Sequence, residues 1–281
     1  MSFADRLAVW PQYLLPKQLL TRVAGVLAEA EAGALTSWAI RRFAVRYRVN
    51  MLEAESAMPE HYPTFNAFFT RALKVGARPL ADAHWLCPVD GAVSQCGRIV
   101  QGDLIQAKGH HYSVQALLGG DAKRAAAYAD GHFATLYLSP SDYHRIHMPC
   151  DGELRRMVHV PGALFSVNPT TARGVPGLFA RNERVVCHFR GRHGPFVMTL
   201  VGATIVGSMA TVWHGKVNPP RPGRIRTWTY APGQVRLLRG AEMGRFLLGS
   251  TVVMLMPPGP LAFHPRWEPG TTVRLGEAMA S

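Results

Sequence analysis

The first quarter of the chain carries apolar residues at the spacing of helices. From Trp10 to Leu27 they recur every three to four residues, with cations between them. Ser37–Val49 mixes large apolar side chains with four arginines, and Thr64–Leu73 places an apolar stripe behind a threonine that can cap a helix. This pattern predicts a helical region over residues 1–75.

Beyond Ala81 the apolar residues fall into short runs that are rich in β-branched side chains and separated by glycine and proline, as is typical of strands. The predicted strands are Gly91–Val100, His132–Ser139, Glu153–Val160, Arg184–Phe189 and Val252–Met256, with short helices at Ser113–Leu118 and Lys123–Ala129. Because the longer helices are segregated to the front, the sequence predicts an α+β fold in which residues 76–281 form a β-rich domain.

Two uncharged runs, Phe196 to Trp213 and Phe246 to Phe263, each reach 18 residues. That length is enough for a helix to cross a bilayer. Both runs contain β-branched residues and turn-forming residues, which favour buried strands over a spanning helix. We therefore expect no transmembrane helix from either run.

The formal net charge of +13 indicates an anionic partner, which could be nucleic acid, an anionic membrane or an acidic substrate, or else a basic surface that only aids solubility. The aromatic and basic mixture near the N-terminus suits a helix in a membrane interface, but it also suits an ordinary surface helix packed on the core. The four cysteines form no C-x-x-C pair, so we expect reduced thiols in a cytosolic compartment and no structural zinc.

Three islands of polar residues could carry chemistry. PVDGAVSQCG contains Asp90, which is equally compatible with a plain Asp-Gly turn between strands. SPSDYHRIHMPCDG contains His144 and His147, which would share a face on a helix and could serve in acid–base chemistry, in metal binding or as structural histidines. The metal interpretation is disfavoured because no H-E-x-x-H pattern accompanies the pair.

The third island is GRFLLGSTVVML, in which Ser250 follows Gly249 at the entry to an apolar strand. This serine could be a nucleophile or a simple break before the strand. The hydrolase pattern G-x-S-x-G is absent around Ser250 and around Ser208, so a conventional serine hydrolase is disfavoured even though the chain holds a Ser/His/Asp set.

Together these islands resemble segments of the bacterial phosphatidylserine decarboxylase family. The resemblance extends in family order through YLLPK, TFNAFF, QAKGHHYSVQALL, YHRIHMPCDG, VPGALFSVNP, LFARNERV, VGATIVGS, PPR and EMGRFLLGST, which together cover nearly the whole chain. It implies a pyruvoyl-dependent enzyme that converts phosphatidylserine to phosphatidylethanolamine and carbon dioxide through a Schiff base. The proenzyme would cut itself between Gly249 and Ser250 into chains 1–249 and 250–281, and Ser250 would become the covalent pyruvoyl group.

The resemblance also implies roles for individual residues. Ser250 would attack the Gly249 carbonyl, with His147 as the base and Asp90 orienting that histidine and stabilising its charged form. Thr251 is a weaker candidate for holding the oxyanion. His144 is the candidate proton donor to the substrate carbon, because an imidazole can act near neutral pH. No metal is implied.

The expected partners follow from that activity. They are phosphatidylserine, an anionic membrane surface met by the helical region 1–75, the two chains produced by cleavage and, as a family-level expectation, a second copy in a homodimer; nucleic acid is not expected. The expected location is peripheral, on the cytoplasmic side of the cell membrane. Two alternatives remain: a membrane-associated Ser/His/Asp hydrolase with an uncut chain, and a membrane-binding module without catalysis.

Overall fold

Helices occupy the front of the chain. The computed structural model describes residues 9–107, 109–204, 208–219, 221, 223–247 and 251–281. The front helices are α1 (Pro11–Leu14), α2 (Lys17–Glu29), α3 (Ala34–Tyr47) and α4 (Phe65–Phe69), with 3₁₀ turns at Met51–Glu53 and Pro59–His61. No helix within the described ranges is long and apolar enough to cross a membrane.

The predicted third helix is shorter than expected. Thr64 caps α4, because its Oγ1 accepts a hydrogen bond from the Ala67 N–H at 3.0 Å. The helix stops at Phe69 and does not reach Leu73, which forms an antiparallel bridge with Ala54 instead. The predicted extension to Leu73 is wrong because this backbone pairing takes over from the helical pattern.

The body of the protein is an antiparallel sheet. Its strands are β2 (Gly91–Arg98), β5 (His132–Tyr137), β7 (Gly152–Val160), β8 (Arg184–Gly191), β9 (Gly194–Val201), β12 (Arg226–Thr229), β13 (Arg236–Leu237), β15 (Thr251–Met256) and β16 (Thr272–Val273). They are paired in the order β12-β7-β8-β9-β15-β5-β2-β16, with β13 also paired to β7. The α+β prediction is confirmed. Both 18-residue uncharged runs contribute strands to this sheet, as expected from their β-branched residues.

Four further strands form a second sheet: β6 (Arg145–His147), β10 (Met209–Thr211), β11 (Gly215–Asn218) and β14 (Glu242–Phe246). They are paired in the order β11-β10-β14-β6. Two further pairs join β1 (Trp85–Leu86) to β17 (Ala278–Ala280) and β3 (Asp103–Ala107) to β4 (His110–Ser113). The short helices α5 (Val114–Leu117), α6 (Ala122–Ala125), α7 (Pro169–Gly174) and α8 (Leu178–Arg181) complete the elements described here, with a 3₁₀ turn at Ala126–Tyr128.

The central strands are apolar on both faces because each face is covered. In β15, Val253 and Leu255 belong to the core on one side of the sheet, while Val252, Met254 and Met256 belong to the core on the other. This alternation follows from the two-residue period of a strand. The uncharged runs that could have been read as spanning helices are explained by this double burial.

Candidate active site

The register of the large sheet brings several chain segments to one edge. Ala92 pairs with Tyr137, Tyr137 pairs with Thr251, and Thr251 pairs on its other side with Val201. In the sequence, Asp90 lies two residues before Ala92, and the segment that leads to His144 follows Tyr137. Gly249 and Ser250 lie outside the described residues, but Thr251, the residue that follows them, is at the centre of the row.

Gly91 allows the close approach that places Asp90 at this edge. A Cβ atom at residue 91 would collide with the carbonyl oxygen of Tyr137. Any side chain there would push β2 away from β5, because the obstacle is backbone and cannot move aside. The glycine of the Asp-Gly pair is thus explained by packing against Tyr137, with Asp90 directly before β2 and Gly91 as its first residue.

The Asp90 carboxylate is bound by an arginine and a backbone amide. Arg78 donates to it from Nε at 3.0 and 3.1 Å and from Nη2 at 2.6 Å, and the Leu275 N–H donates at 2.9 Å. Arg78 also donates to Glu53 at 2.6 Å. The arginine therefore sits between two carboxylates, which raise its pKa, and holds one of them at the candidate site.

His147 has hydrogen bonds at both ring nitrogens, and neither partner is Asp90. Nδ1 lies 2.8 Å from the Gly240 carbonyl oxygen, so it carries the proton, and Nε2 lies 3.0 Å from the Tyr143 hydroxyl. Burial lowers the pKa of His147, while the Gly240 hydrogen bond, the charge of Glu242 and, as the smallest effect, the charge of Asp90 act to raise it. The expected Asp90–His147 hydrogen bond is absent from this structure because Arg78 and Leu275 occupy the carboxylate.

His144 is fully buried and stacks on Phe69, with ring centroids 4.1 Å apart. Its Nε2 lies 3.0 Å from the Ser139 carbonyl oxygen, whereas Nδ1 is buried without a hydrogen-bond partner among the described residues. Burial and the positive charge of Arg71 lower the pKa of His144 to about 3. The expectation that this histidine titrates near neutral pH does not hold here, because its environment disfavours the charged ring.

The two histidines also do not share a helical face. His147 ends strand β6, and His144 directly precedes that strand. Residues three apart on extended chain project to opposite sides, so the pair is divided between two environments. The structure thus separates the two histidines where a helix would have aligned them.

Thr251 places a third polar atom at the sheet edge. It is completely buried, and its Oγ1 has no hydrogen-bond partner within the part of the chain that the structure describes. An unpaired buried hydroxyl costs about 1–3 kcal/mol, and the hydroxyls of Thr199 and Thr211 are in the same state among the described residues. This observation is compatible with the predicted oxyanion role, which stays a prediction.

Sequence reasoning missed three residues of this site: Arg71, Arg78 and Tyr143. Arg78 lies 12 residues before Asp90 in a segment without a recognisable motif, and Arg71 immediately follows the α4 region. Tyr143 stands within the second island, next to His144, which was the one available signal. No group of three or more His, Cys, Asp or Glu side chains suited to a metal ion occurs among the residues described.

We predict that Arg78→Met destabilises the protein. The change would leave Asp90 buried with its main partner removed, and breaking a buried ion pair from one side typically costs about 3–5 kcal/mol. Equilibrium unfolding in urea measures the loss. Arg274→Gln is the matched control, because Arg274 is 59% exposed and lies 3.7 Å from the same Glu53, so its loss should change stability by less than about 1 kcal/mol. Equal stabilities of the two variants would contradict the structural role given to Arg78.

Comparison with known proteins agrees with the resemblance seen in the sequence. A family model described as phosphatidylserine decarboxylase matches residues 65–281, and a second, described as PSD, matches residues 7–48. Relatives named phosphatidylserine decarboxylase proenzyme include one from Polaromonas naphthalenivorans, 69% identical over 99% of this chain and 97% of its own length. Others are from Variovorax paradoxus, 68% identical over 99% and 98%, and Dechloromonas aromatica, 66% identical over 99% of both chains.

The chain belongs to the phosphatidylserine decarboxylase family. The predicted family membership is confirmed, and the match over nearly the full length favours the decarboxylase interpretation over an uncut hydrolase. These relatives are named as proenzymes. The roles of Asp90, His144, His147, Gly249 and Ser250 stay predictions.

Proposed function

We propose that this chain is a phosphatidylserine decarboxylase whose proenzyme cuts itself between Gly249 and Ser250 to form a pyruvoyl group. The main support is the pairing of Tyr137 with both Ala92 and Thr251 at one edge of the large sheet. This pairing brings Asp90, the segment leading to His144, and Thr251 to the same edge. Ser250 is joined to Thr251 by a peptide bond, so a group made from it begins at this edge. Among the described residues, Thr251 Oγ1 and His144 Nδ1 are buried without a hydrogen-bond partner, which fits a reactive carbonyl there.

Maturation requires a balanced sequence of bond changes. The Ser250 hydroxyl attacks the Gly249 carbonyl carbon, and the amide becomes an ester with a free amine on residue 250. Elimination releases the carboxylate of residue 249 and leaves dehydroalanine, which water converts to a pyruvoyl group and ammonia. Glycine at 249 leaves the carbonyl open to attack because it has no side chain.

His147 is the proposed base for the first step. Its Nδ1–H is held by Gly240, which leaves Nε2 as the atom that accepts the serine proton, directly or through the Tyr143 hydroxyl. Asp90 stabilises the resulting imidazolium through its charge, since Arg78 and Leu275 take its hydrogen bonds. This arrangement modifies the triad expected from the sequence while keeping its members.

His144 is the proposed proton carrier in decarboxylation. The pyruvoyl carbonyl would supply the electron sink for the charge left when carbon dioxide departs. Because the Nε2–H of His144 donates to Ser139, the free Nδ1 lone pair can accept a proton from the substrate ammonium and return it to the substrate carbon. Because burial lowers its pKa, the ring is neutral near pH 7, so Nδ1 carries no proton before the substrate arrives.

We further propose that the helical region binds an anionic membrane surface. α2 turns Thr21 and Ala28 inward, and α3 buries Thr36, Ser37 and Ile40 and packs Phe43 against the core. Most of the other large apolar side chains of these helices are exposed: Leu19, Leu20, Val23, Val26, Leu27, Leu35, Trp38, Val45 and Tyr47. An ordinary helix packed on a core has the opposite pattern, whereas a helix lying in a membrane interface presents this one. Attachment to the cytoplasmic side of the cell membrane and a homodimer are part of the same proposal.

The membrane proposal predicts that Arg41→Gln, Arg42→Gln and Arg46→Gln combined weaken binding to anionic vesicles. Each cation contributes about 1 kcal/mol near such a surface, so binding should fall roughly a hundredfold. Arg48 is kept because it lines a cavity near Asp90. Sedimentation with phosphatidylglycerol-containing vesicles measures the effect, and self-cleavage should be unchanged.

The matched control for this test removes three exposed arginines elsewhere, Arg190, Arg192 and Arg236, which lie on or beside β8 and β13. It changes the net charge by the same amount, so any general charge effect appears in both variants. If the two variants bind vesicles equally well, the helical region is not the contact surface.

The experiment that tests the decarboxylase proposal is intact-mass measurement of the purified protein together with a phosphatidylserine assay. Two chains, a short chain without a free N-terminal amine, and release of carbon dioxide are expected. A single chain that hydrolyses esters would favour the hydrolase alternative, and a single chain that binds vesicles without catalysis would favour the binding module.

A further inference from the structure

A small cavity of about 190 Å³ lies beside Asp90 and is unusually rich in arginine. Four arginines line it: Arg48, Arg71, Arg78 and Arg274. The acidic residues in its wall are Glu53, Asp90 and Asp142. Whether the cavity can take an anion depends on which of these charges are already paired.

Two of the arginines are occupied by carboxylates. Arg78 lies between Glu53 and Asp90, at 2.6 Å from each, and Arg274 lies 3.7 Å from Glu53. These four charges balance one another. Asp142 accepts a hydrogen bond at Oδ2 from the Ser139 N–H at 2.6 Å, and burial raises its pKa. Even with Asp142 ionised, the four arginines outnumber the three carboxylates, so the wall keeps a net positive charge.

Arg71 is the residue that points to a ligand. It is only 4% exposed, and its Nε and Nη1 have no hydrogen-bond partner among the described residues. Its Nη2 reaches the backbone carbonyls of Ser141 at 3.2 Å and Asp142 at 3.5 Å. A buried guanidinium with two donor nitrogens unpaired among the described residues is costly, and a carboxylate or phosphate group that accepts two hydrogen bonds is the usual partner for such a fork.

Arg71 is also tied to the proposed chemistry through α4. Its guanidinium lies over the Phe68 ring at 5.5 Å, and the adjacent Phe69 stacks on His144. Arg48, at the rim, is the residue that ends α3, the helix with the exposed apolar side chains. Exposed Leu52 and Val75 flank the same rim, where the Lys74 N–H bonds to the Glu53 carbonyl at 2.9 Å. The cavity is thus linked to His144 through Phe68 and Phe69, and to the C-terminal end of α3 through Arg48.

We propose that Arg71, with Arg48 at the rim, binds the phosphodiester group of a phospholipid substrate. This inference rests on the proposed function. The carboxylate of phosphatidylserine is the other candidate anion, but its charge leaves with carbon dioxide. A guanidinium bonded to it would stabilise the starting state more than the transition state and so oppose the reaction. The phosphodiester keeps its charge throughout, so binding it orients the headgroup without that penalty.

Steady-state kinetics in mixed micelles of phosphatidylserine and a nonionic detergent test this site, with phosphatidylethanolamine as a competing product. The product keeps the phosphodiester and lacks the carboxylate. Arg71→Gln should still cut itself, with KM for phosphatidylserine raised about tenfold to a hundredfold and kcat changed much less. The inhibition constant for phosphatidylethanolamine should rise by the same factor, and Arg71→Lys should fall between the wild type and Arg71→Gln.

Several outcomes would overturn this assignment. An unchanged KM would mean that Arg71 has only a structural role, and a raised KM with an unchanged inhibition constant would place the carboxylate at Arg71. If Arg71→Gln does not fold, Arg71→Lys decides, because an ammonium cannot form the two-pronged contact and unchanged constants would reject the site. Arg236→Gln is the matched control on β13, with no effect expected. Wild-type protein without decarboxylase activity would instead reject the proposed function itself.

Discussion

Ser250→Ala is expected to leave one uncut chain of 281 residues with no measurable decarboxylase activity. The alanine has no hydroxyl to attack the Gly249 carbonyl, so neither the ester nor the later elimination can occur. The pyruvoyl group would then never form, and no other side chain in the described site offers a carbonyl in its place. Gel electrophoresis and intact-mass measurement show whether the chain is cut, and carbon dioxide release shows the activity.

Ser208→Ala is the matched control for that experiment. Ser208 is another serine in this part of the chain, and its backbone carbonyl accepts the Leu247 N–H at 3.0 Å, a bond that the side-chain change leaves in place. This variant should mature and turn over normally. Appearance of the short chain in Ser250→Ala would contradict the proposed mechanism. If Ser208→Ala also fails to mature, the loss of cleavage in Ser250→Ala is not specific to the Ser250 hydroxyl.

His147→Ala and Asp90→Ala extend the same series. Both should block or greatly slow self-cleavage, because the first removes the proposed base and the second removes the charge that stabilises its protonated form. The effect of Asp90→Ala must be read beside its stability, since Arg78 would lose a partner. Normal maturation of a folded His147→Ala protein would remove His147 from the base role.

The strands were predictable because each has a local signature. β15 is an unbroken apolar run of β-branched residues and methionine, and it proved to be buried on both faces by two separate cores. The capping of α4 by Thr64 was equally local. Where a long-range partner competed, as when Leu73 paired with Ala54, the local pattern placed the end of the helix wrongly.

The site was only partly predictable, because hydrogen-bond partners are set by the fold. Asp90 and His147 were identifiable as residues, but Arg78 takes the carboxylate and Gly240 and Tyr143 take the ring. No spacing in the sequence relates these residues. Likewise, whether His144 and His147 share a face depended on the segment being helical, and β14 pairs with residues 145–147 as a strand instead.

His144→Ala is expected to give an enzyme that matures but turns over about 10²–10⁴-fold more slowly, the usual cost of losing a general acid–base group. Self-cleavage needs a base beside Ser250 and no proton delivered to a substrate carbon, so the two chains should still appear. Decarboxylation does need that delivery once carbon dioxide has left. The variant should therefore capture the substrate amine, form an adduct that borohydride traps, and then stall.

The control for this last variant is His188→Ala. His188 is also buried, and burial together with the charges of Arg124 and Arg156 lowers its pKa to about 4, but it lies on β8 opposite Val197, away from the row that contains Thr251. His188→Ala removes a buried imidazole that has no proposed role in the reaction. We therefore expect normal maturation and near-normal turnover. If His144→Ala stays uncut while His188→Ala matures, His144 belongs to the cutting step. If His144→Ala matures and turns over like the control, Nδ1 of His144 carries no proton to the substrate and another group must do so.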